Sequence, residues 1–302
     1  MRKNILGILF LAGILCLTAC GEADEVQEEE TVQVDINAAE GDEGKGEAAA
    51  VAETEMENTQ SGEPGRFYSD FSGVKEKGAE RGIIFSCEEK KISLDDEGFV
   101  YFKARYNSPS VEIKSNTPAA AAINSYLLDS TVNYETNMEL LKAESESMLV
   151  PGPGNEPVEY SVTLDVVPTR LDERVIAMKG IASEYSGGAH GINSYTGYNF
   201  DAATGNLLTI ASIAKDTNLF KASAVDYIKE ACANMGEDAM FFDSYESCIG
   251  AMVDEGSWYM TDEGVVFIAG EYLLAPYASG IIEVQVPYSS LESVNEIYLP
   301  QQ

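Results

Sequence analysis

The sequence from about residue 66 to residue 302 predicts an α+β fold, in which antiparallel sheets pack against a few helices. Several short segments alternate apolar and polar residues, which is the two-residue period of a half-buried strand. Longer segments place apolar residues three and four positions apart, as an amphipathic helix does. Turns rich in Gly and Asp separate many of these segments, and no short repeat period is present. Clustered strands interrupted by a few helices are typical of α+β layers.

In the first half of this region, residues 82–88 and 99–106 are predicted strands, separated by the turn sequence Asp-Asp-Glu-Gly at 95–98. A long helix is predicted to begin at Thr117-Pro118. Threonine can accept a hydrogen bond from a free N–H group, and proline fits the first helical turn. Apolar residues follow at helical spacing, namely Ala119, Ile123, Leu127, Tyr134, Met138 and Leu141. The Pro-Gly-Pro-Gly sequence at 151–154 ends this helix.

The second half alternates the two patterns again. Strands are predicted at 160–167, 174–183, 194–200, 206–210, 257–260, 265–269 and 279–286. Residues 201–205 and 261–264 are the expected hairpin turns. A second helix is predicted over about 217–235, with Gly236 as its C-terminal cap, and a short third helix over about 244–252.

Composition limits the function of the chain. The 302 residues include 19 Lys and Arg against 51 Asp and Glu, a formal net charge of −32. This balance disfavours nucleic acid as a partner, because binding a phosphate backbone requires cationic side chains. A hydrophobic content of 45% excludes disorder along the whole chain. The single histidine excludes a His-rich metal centre, and no cofactor or metal site is predicted.

The N-terminus predicts a lipoprotein signal peptide over residues 1–19. Arg2 and Lys3 precede an apolar run at 5–15, which is too short to span a membrane and matches a secretory signal. Leu-Thr-Ala-Cys-Gly at 17–21 resembles the bacterial lipobox, which implies cleavage before Cys20 and lipid attachment to its thiol. We therefore expect a lipid anchor in the cell membrane with the protein on the extracytoplasmic face. The alternative is a plain signal peptide with an incidental cysteine.

Residues 20–65 are predicted to form a disordered acidic tether. The segment has fifteen Asp and Glu residues, one lysine and no aromatic residue, so it cannot bury enough apolar surface to offset the entropy lost on ordering. Its expected role is to hold the folded part away from the membrane. An acidic interaction tail is the alternative.

Several stretches of the remaining chain resemble the extracytoplasmic region shared by PdaC-type peptidoglycan deacetylases and RsiV-type anti-sigma factors. They are Tyr-Ser-Gly-Gly-Ala-His-Gly at 185–191, then 198–201 with 204–205, 259–264, 276–280, and 286–288 with Leu291. The resemblance covers roughly residues 80–295. It implies two tandem α+β subdomains, at 66–190 and 191–302, with a junction near the Gly-Gly-Ala-His segment.

The sequence also departs from these families. RsiV-like proteins carry a cytoplasmic sigma-binding segment and a membrane-spanning helix, and they bind lysozyme outside the cell. PdaC-like enzymes carry a deacetylase domain whose metal ligands include two histidines. We expect this chain to lack the sigma-binding segment and the membrane-spanning helix of the first group. We also expect it to lack the deacetylase domain of the second, because His190 is its only histidine. What remains of the resemblance is the accessory region, which we expect to be carried on a lipid anchor.

Candidate partner-binding residues lie around the glycine-rich segment and are Tyr185, Gly187, Gly188, His190, Tyr195 and Tyr277. Exposed tyrosines can stack on glycan rings or anchor a protein partner. The structural alternative is that the imidazole holds its loop by hydrogen bonds and the tyrosines are half-buried strand residues. Tyr198 and Tyr272 lie near the same motifs. No catalytic residues are predicted, since no Gly-x-Ser-x-Gly sequence accompanies the histidine.

Two further groups of side chains are candidate sites. Asp238, Asp243 and Glu246 offer oxygen ligands for a hard cation, but a solvated acidic surface is the favoured interpretation. Cys232 and Cys248 fall in successive predicted helices and are candidates for a disulfide. Buried free thiols are an equally good interpretation, because an odd number of cysteines remains with Cys87.

Together these observations predict a non-catalytic surface lipoprotein that binds a cell-wall component, such as its glycan, or a cationic secreted protein. Lysozyme is the first candidate protein, because of the RsiV-like resemblance and the acidity of the chain. The alternative is a peptidoglycan-modifying enzyme or an accessory subunit of one.

Overall fold

The computed structural model describes residues 71–149, 157–236, 239–254 and 257–301, all of which belong to one compact unit. Its helices are α1 (Ser72–Glu80), α2 (Thr117–Ser147), α3 (Ile210–Ile213), α4 (Thr217–Asn234) and α5 (Tyr245–Asp254). Its strands are β1 (Ile83–Asp96), β2 (Phe99–Ile113), β3 (Tyr160–Leu171), β4 (Val175–Tyr185), β5 (Ile192–Asp201), β6 (Ser257–Met260), β7 (Gly264–Ala269) and β8 (Ile282–Pro287). The α+β class predicted from the sequence is confirmed.

The first five strands form one sheet in the order β1-β2-β3-β4-β5. Neighbouring strands are antiparallel except β2 and β3, which are parallel because the chain crosses back through α2. Helix α2 packs against this sheet with Ile123 and Leu127, which are 0% and 1% exposed and join Phe200 of β5 in the core. The long amphipathic helix thus covers the sheet, as its apolar spacing predicts.

The last three strands form a second, antiparallel sheet in the order β6-β7-β8. Helices α4 and α5 bury their apolar faces against it, so that Phe220, Ile228 and Ile249 share a core with Phe267 of β7. Every residue of β7 is buried, as expected for the central strand of a covered sheet.

The two sheets meet where β6 approaches β5 and β3. The side chain of Asn199 pairs with the backbone of β6, donating to Trp258 O at 2.9 Å and accepting from Met260 N at 2.8 Å. Thr169 of β3 donates to Met260 O at 2.8 Å. A Cβ atom at Gly197 would lie 1.7 Å from Trp258 O, so only glycine allows this close approach. Side chains of the first sheet therefore form hydrogen bonds with backbone groups on the outer edge of the second sheet.

Three details differ from the sequence-based expectations. Asn116, not Thr117, caps α2 by accepting from Ala119 N at 3.2 Å. The predicted strand at 206–210 is wrong, because only Leu207 forms an isolated bridge to β5, and the backbone N–H of Thr209 then donates to Ser212 at 2.8 Å where α3 begins. Helix α1 was not predicted.

The expected boundary between subdomains, at 190/191, falls between β4 and β5, which are paired strands of the same sheet. The division into two tandem subdomains stays a prediction. The signal peptide, Cys20 and the tether lie outside the described residues. Within the described ranges, no helix is both long and apolar enough to cross a membrane.

Candidate binding site

The loop between β4 and β5 carries the only histidine into solvent. Gly187 and Gly188 have φ values of 94° and 90°, in the left-handed region that favours glycine. The Tyr185 hydroxyl donates to Gly188 O at 3.1 Å, which closes the loop on itself. A Cβ atom at Gly191 would lie 2.6 Å from Glu184 O, so the return into β5 also requires glycine. The tight turn leaves His190 exposed at its end.

His190 forms a compact aromatic cluster with two tyrosines from the segment between β7 and β8. Its ring stacks on Tyr277 with a centroid separation of 3.8 Å and an interplanar angle of 18°. The Tyr272 hydroxyl lies 3.1 Å from His190 Nε2, and His190 Nδ1 lies 2.8 Å from Gly191 O. A carbonyl oxygen can only accept, so Nδ1 carries the proton of the neutral ring and Nε2 accepts from the tyrosine. We call His190, Tyr272 and Tyr277 the aromatic cluster.

The segment that carries the two tyrosines is fixed to the first sheet. Glu271 Oε1 accepts from Asn193 N at 3.2 Å and from Asn193 Nδ2 at 2.7 Å. Tyr272 follows with a φ of 64° and 54% of its surface exposed. A left-handed backbone at a bulky non-glycine residue is uncommon and persists only where the surroundings hold it. The ring of Tyr272 is thus held outward beside the imidazole.

A third loop lies beside the aromatic cluster. Phe242 N donates to Leu274 O at 2.9 Å, and Ser279 donates to Ala239 O at 3.0 Å, so residues 239–242 run along the tyrosine-bearing segment. Met240 is 48% exposed and Phe242 is 38% exposed. Met240 also has a positive φ, of 51°. Two exposed apolar residues therefore lie on a loop that is hydrogen-bonded to the tyrosine-bearing segment.

The charges of these loops are all of one sign. The sequence has no lysine or arginine in residues 180–214 or 230–302. Asp243 and Glu246 are exposed, and Glu184 and Glu271 are half-buried. The cation that precedes this region, Lys179, is buried and paired. An anionic ligand would be repelled here and a cationic one attracted.

Lys179 and Glu283 form a buried ion pair between β4 and β8. Lys179 Nζ lies 2.7 Å from Glu283 Oε2, the side chains are only 8% and 7% exposed, and the Tyr259 hydroxyl donates to Glu283 Oε1 at 3.0 Å. Burial lowers the pKa of Lys179 and raises the pKa of Glu283 from their usual values, because both charges are removed from water. Tyr195 lies over Lys179, with the ammonium 3.9 Å from its ring centroid.

The structure brings four of the predicted partner-binding residues together, namely Tyr185, Gly188, His190 and Tyr277, with Gly187 shaping their loop. Tyr195 lies elsewhere, half-buried against the ion pair, and Tyr198 is buried in the core. Sequence reasoning did not single out Asn193, Glu271, Met240 or Phe242. An apolar Met-Phe-Phe run within an acidic loop was the available signal for the last two.

The two remaining candidate groups form no site among the described residues. Asp243 and Glu246 are exposed, Asp238 lies outside the described residues, and no three His, Cys, Asp or Glu side chains within the described ranges are arranged to hold a metal ion. Cys87, Cys232 and Cys248 are free thiols, so the bridge considered between Cys232 and Cys248 is not formed. Cys232 faces the core at 1% exposure, and burial raises the pKa of its thiol to about 11.

Comparison with known proteins identifies a domain family that matches part of the chain. Residues 214–289, from just before α4 to just after β8, match the family described as a protein of unknown function, DUF3298. This match includes Tyr272 and Tyr277 but not His190. No curated protein matches the chain.

Solved structures that are similar to this chain include members of the same family. The crystal structure of a DUF3298 family member from Bacteroides fragilis has a TM-score of 0.54 at 17% identity, covering 71% of this chain and 96% of that one. A DUF3298 family protein from Pseudomonas aeruginosa has a TM-score of 0.47 at 14% identity, covering 73% of this chain and 98% of that one. The first of these supports the fold. The DUF3298 match at 214–289 is in keeping with the PdaC/RsiV-like resemblance.

Proposed function

We propose that this protein is a non-catalytic binding module on the bacterial cell surface, anchored by a lipid on Cys20, and that the aromatic cluster binds a cell-wall component. The observation that carries the proposal is the stack of the exposed His190 on the half-buried Tyr277, next to the exposed Tyr272. Rigid aromatic side chains give a large contact area at a low cost in conformational entropy. They are the side chains most enriched where binding energy concentrates.

The hydrogen bonds of His190 favour binding over catalysis. A general base needs a ring nitrogen within reach of a substrate proton. Here Nδ1 is engaged by Gly191 O and Nε2 by the Tyr272 hydroxyl. The imidazole therefore contributes an aromatic surface held in place at both nitrogens. A peptidoglycan-modifying enzyme, or an accessory subunit of one, remains the alternative, and release of sugars or acetate from peptidoglycan by the purified protein would support it.

Co-sedimentation with insoluble peptidoglycan tests the proposal. The full-length lipoprotein in detergent should sediment with the polymer, and Tyr272→Ala/Tyr277→Ala should abolish this. Leu140→Ala is the matched control, because Leu140 is an exposed apolar residue of α2, 67% exposed and outside the aromatic cluster. Equal sedimentation of the double variant and the parent, with both folded, would refute a role for the cluster.

The anchor has its own test. Cys20→Ser should remove the lipid, so that the product leaves the membrane fraction and loses the mass of the acyl chains. An unchanged mass and an unchanged membrane fraction would remove the lipid anchor from the proposal.

A cationic secreted protein, with lysozyme first, is the second candidate ligand. The supporting observation is charge, since residues 66–302 have 16 Lys and Arg against 36 Asp and Glu. Long-range attraction of this kind steers cationic partners and weakens with salt. Pull-down of lysozyme at low and high ionic strength is the measurement, and a lack of binding at both would exclude this partner.

A further inference from the structure

We infer that the aromatic cluster selects a glycan whose sugars carry free amino groups over its N-acetylated counterpart and over anionic polymers. The inference rests on the proposed function, because it names the ligand class for the same surface. It depends on three features, namely the partly exposed aromatic rings, a fixed carboxylate on the residue next to Tyr272, and the lack of lysine and arginine in the segments that carry them.

The rings supply the first feature. Tyr277, which is half-buried, covers one face of the His190 imidazole, and His190 is nevertheless exposed. Tyr272 is more than half exposed and is held there by a left-handed backbone. A flat, apolar sugar face can pack on such rings, and an ammonium group gains additional electrostatic attraction from the face of a tyrosine. Strained backbone at bulky residues is concentrated at ligand-binding positions.

The second feature is the carboxylate of Glu271, the residue immediately before Tyr272. Both donors of Asn193 bind Oε1, at 3.2 and 2.7 Å, which fixes the orientation of the group. No described residue donates to Oε2. A carboxylate held by one oxygen, with the other available, can accept a charge-assisted hydrogen bond from an ammonium group.

The third feature is the absence of competing cations. No lysine or arginine occurs in residues 180–214 or 230–302, and Lys179 forms a buried ion pair with Glu283. Phosphate-bearing or carboxylate-bearing polymers would therefore meet only like charge at these loops. A neutral N-acetylated sugar would keep the ring contact but lose the ionic one.

Two soluble probes of equal length distinguish the ligand classes, namely a hexamer of β-1,4-linked glucosamine and the corresponding hexamer of N-acetylglucosamine. We expect the full-length lipoprotein to bind the amine-bearing hexamer about ten-fold more tightly, measured by calorimetry. The preference should shrink at high ionic strength, because part of it is ionic.

Glu271→Gln is the decisive variant, because its amide oxygen can still accept both bonds from Asn193 while the charge is lost. It should bring the affinities for the two hexamers to within about two-fold, since only the ionic contribution is removed. Glu112→Gln, at an exposed carboxylate of β2, is the matched control and should leave the preference unchanged. Tyr272→Ala should weaken binding of both probes.

The outcomes separate the inference from the proposed function. Equal or tighter binding of the N-acetylated hexamer, or a preference that survives Glu271→Gln, overturns the inference. If neither hexamer binds but sedimentation with peptidoglycan still depends on Tyr272 and Tyr277, the inference fails and the proposed function stands. If peptidoglycan binding is absent as well, both fail.

Discussion

The buried ion pair of Lys179 and Glu283 gives the sharpest test of how the two sheets are joined. Lys179→Met keeps a long flexible side chain and removes the charge. Glu283 then remains with the Tyr259 hydroxyl as its described hydrogen-bond donor, in a site where its side chain is only 7% exposed. Leaving one charge of a buried pair without its partner costs about 3–5 kcal/mol.

This cost should be visible as a large loss of thermal stability. For a folded region of this size, each kcal/mol lowers Tm by about 2–4 °C, so Lys179→Met should lower Tm by about 6–20 °C. Lys179→Met/Glu283→Gln removes both charges and should be much closer to the parent, because replacing a whole buried pair by neutral groups is often nearly neutral. The double-mutant cycle isolates the interaction between the two side chains.

The pH dependence gives an independent check with a definite sign. Burial raises the pKa of Glu283 above its usual value of 4.5, and loss of the neighbouring ammonium should raise it further. The folded variant then binds a proton more readily than the unfolded chain does. The stability of Lys179→Met should therefore fall as the pH rises through the raised pKa and recover on acidification. Variants with Gln at position 283 should not show this dependence.

Urea unfolding followed by fluorescence of Trp258 is a suitable assay, because this single tryptophan lies on β6 at the contact between the sheets. Circular dichroism should report the same midpoint if unfolding is two-state. A loss below about 1 kcal/mol for Lys179→Met at neutral pH, with no added pH dependence relative to the parent, would refute the argument.

Three further outcomes are expected from unfolding measurements. Gly197→Ala should destabilise strongly, because its Cβ would lie 1.7 Å from Trp258 O. Gly250→Ala, whose Cβ would have no atom within 4 Å, should stabilise α5 by up to about 1 kcal/mol. Equal effects of the two substitutions would contradict the close approach of β5 and β6. Tyr134→Phe should leave stability equal or slightly higher, since its buried hydroxyl has no hydrogen-bond partner among the described residues. Tyr106→Phe loses a 2.8 Å hydrogen bond to a carboxylate and should cost about 1 kcal/mol. A costly Tyr134→Phe would show that its hydroxyl is satisfied. Reducing agents should leave the midpoint unchanged, because the three described thiols are free; a shift would reveal a bridge.

Local patterns predicted most of the secondary structure. The apolar spacing of Ile123, Leu127 and Met138 predicted α2, and all three are buried in the structure. The strands at 257–260 and 265–269 were placed within one residue of β6 and β7. These signals are reliable because the period of a helix or strand fixes which residues share a face.

The misses occurred where a local cap or a contact with a distant residue decides the outcome. Residues 206–210 have strand-like composition, but a capping arrangement at Thr209 begins α3 there. Asn199 was not identified from sequence as a joining residue, because its partners on β6 lie about 60 positions later. Periodicity contains no information about such contacts.

For the candidate site, the sequence singled out the glycine-rich loop and its histidine but not the residues that complete the surface. Tyr195 and Tyr277 had equal standing as sequence positions, yet one lies over a buried lysine and the other stacks on His190. In the sequence Glu271 is one acidic residue among many, and only the hydrogen bond from Asn193 in the structure distinguishes its carboxylate.

The sequence by itself determined the class of fold, the order of most of its strands and helices, and the strong acidity of the chain, because periodicity and charge are properties of consecutive residues. Only the tertiary structure decided that the edge of β6 is hydrogen-bonded to Asn199 and Thr169, that Lys179 is paired with Glu283, and that His190 meets Tyr272 and Tyr277 from a distant segment. These contacts arise when two sheets close over a shared core, and the geometry of that closure is not encoded in any single segment.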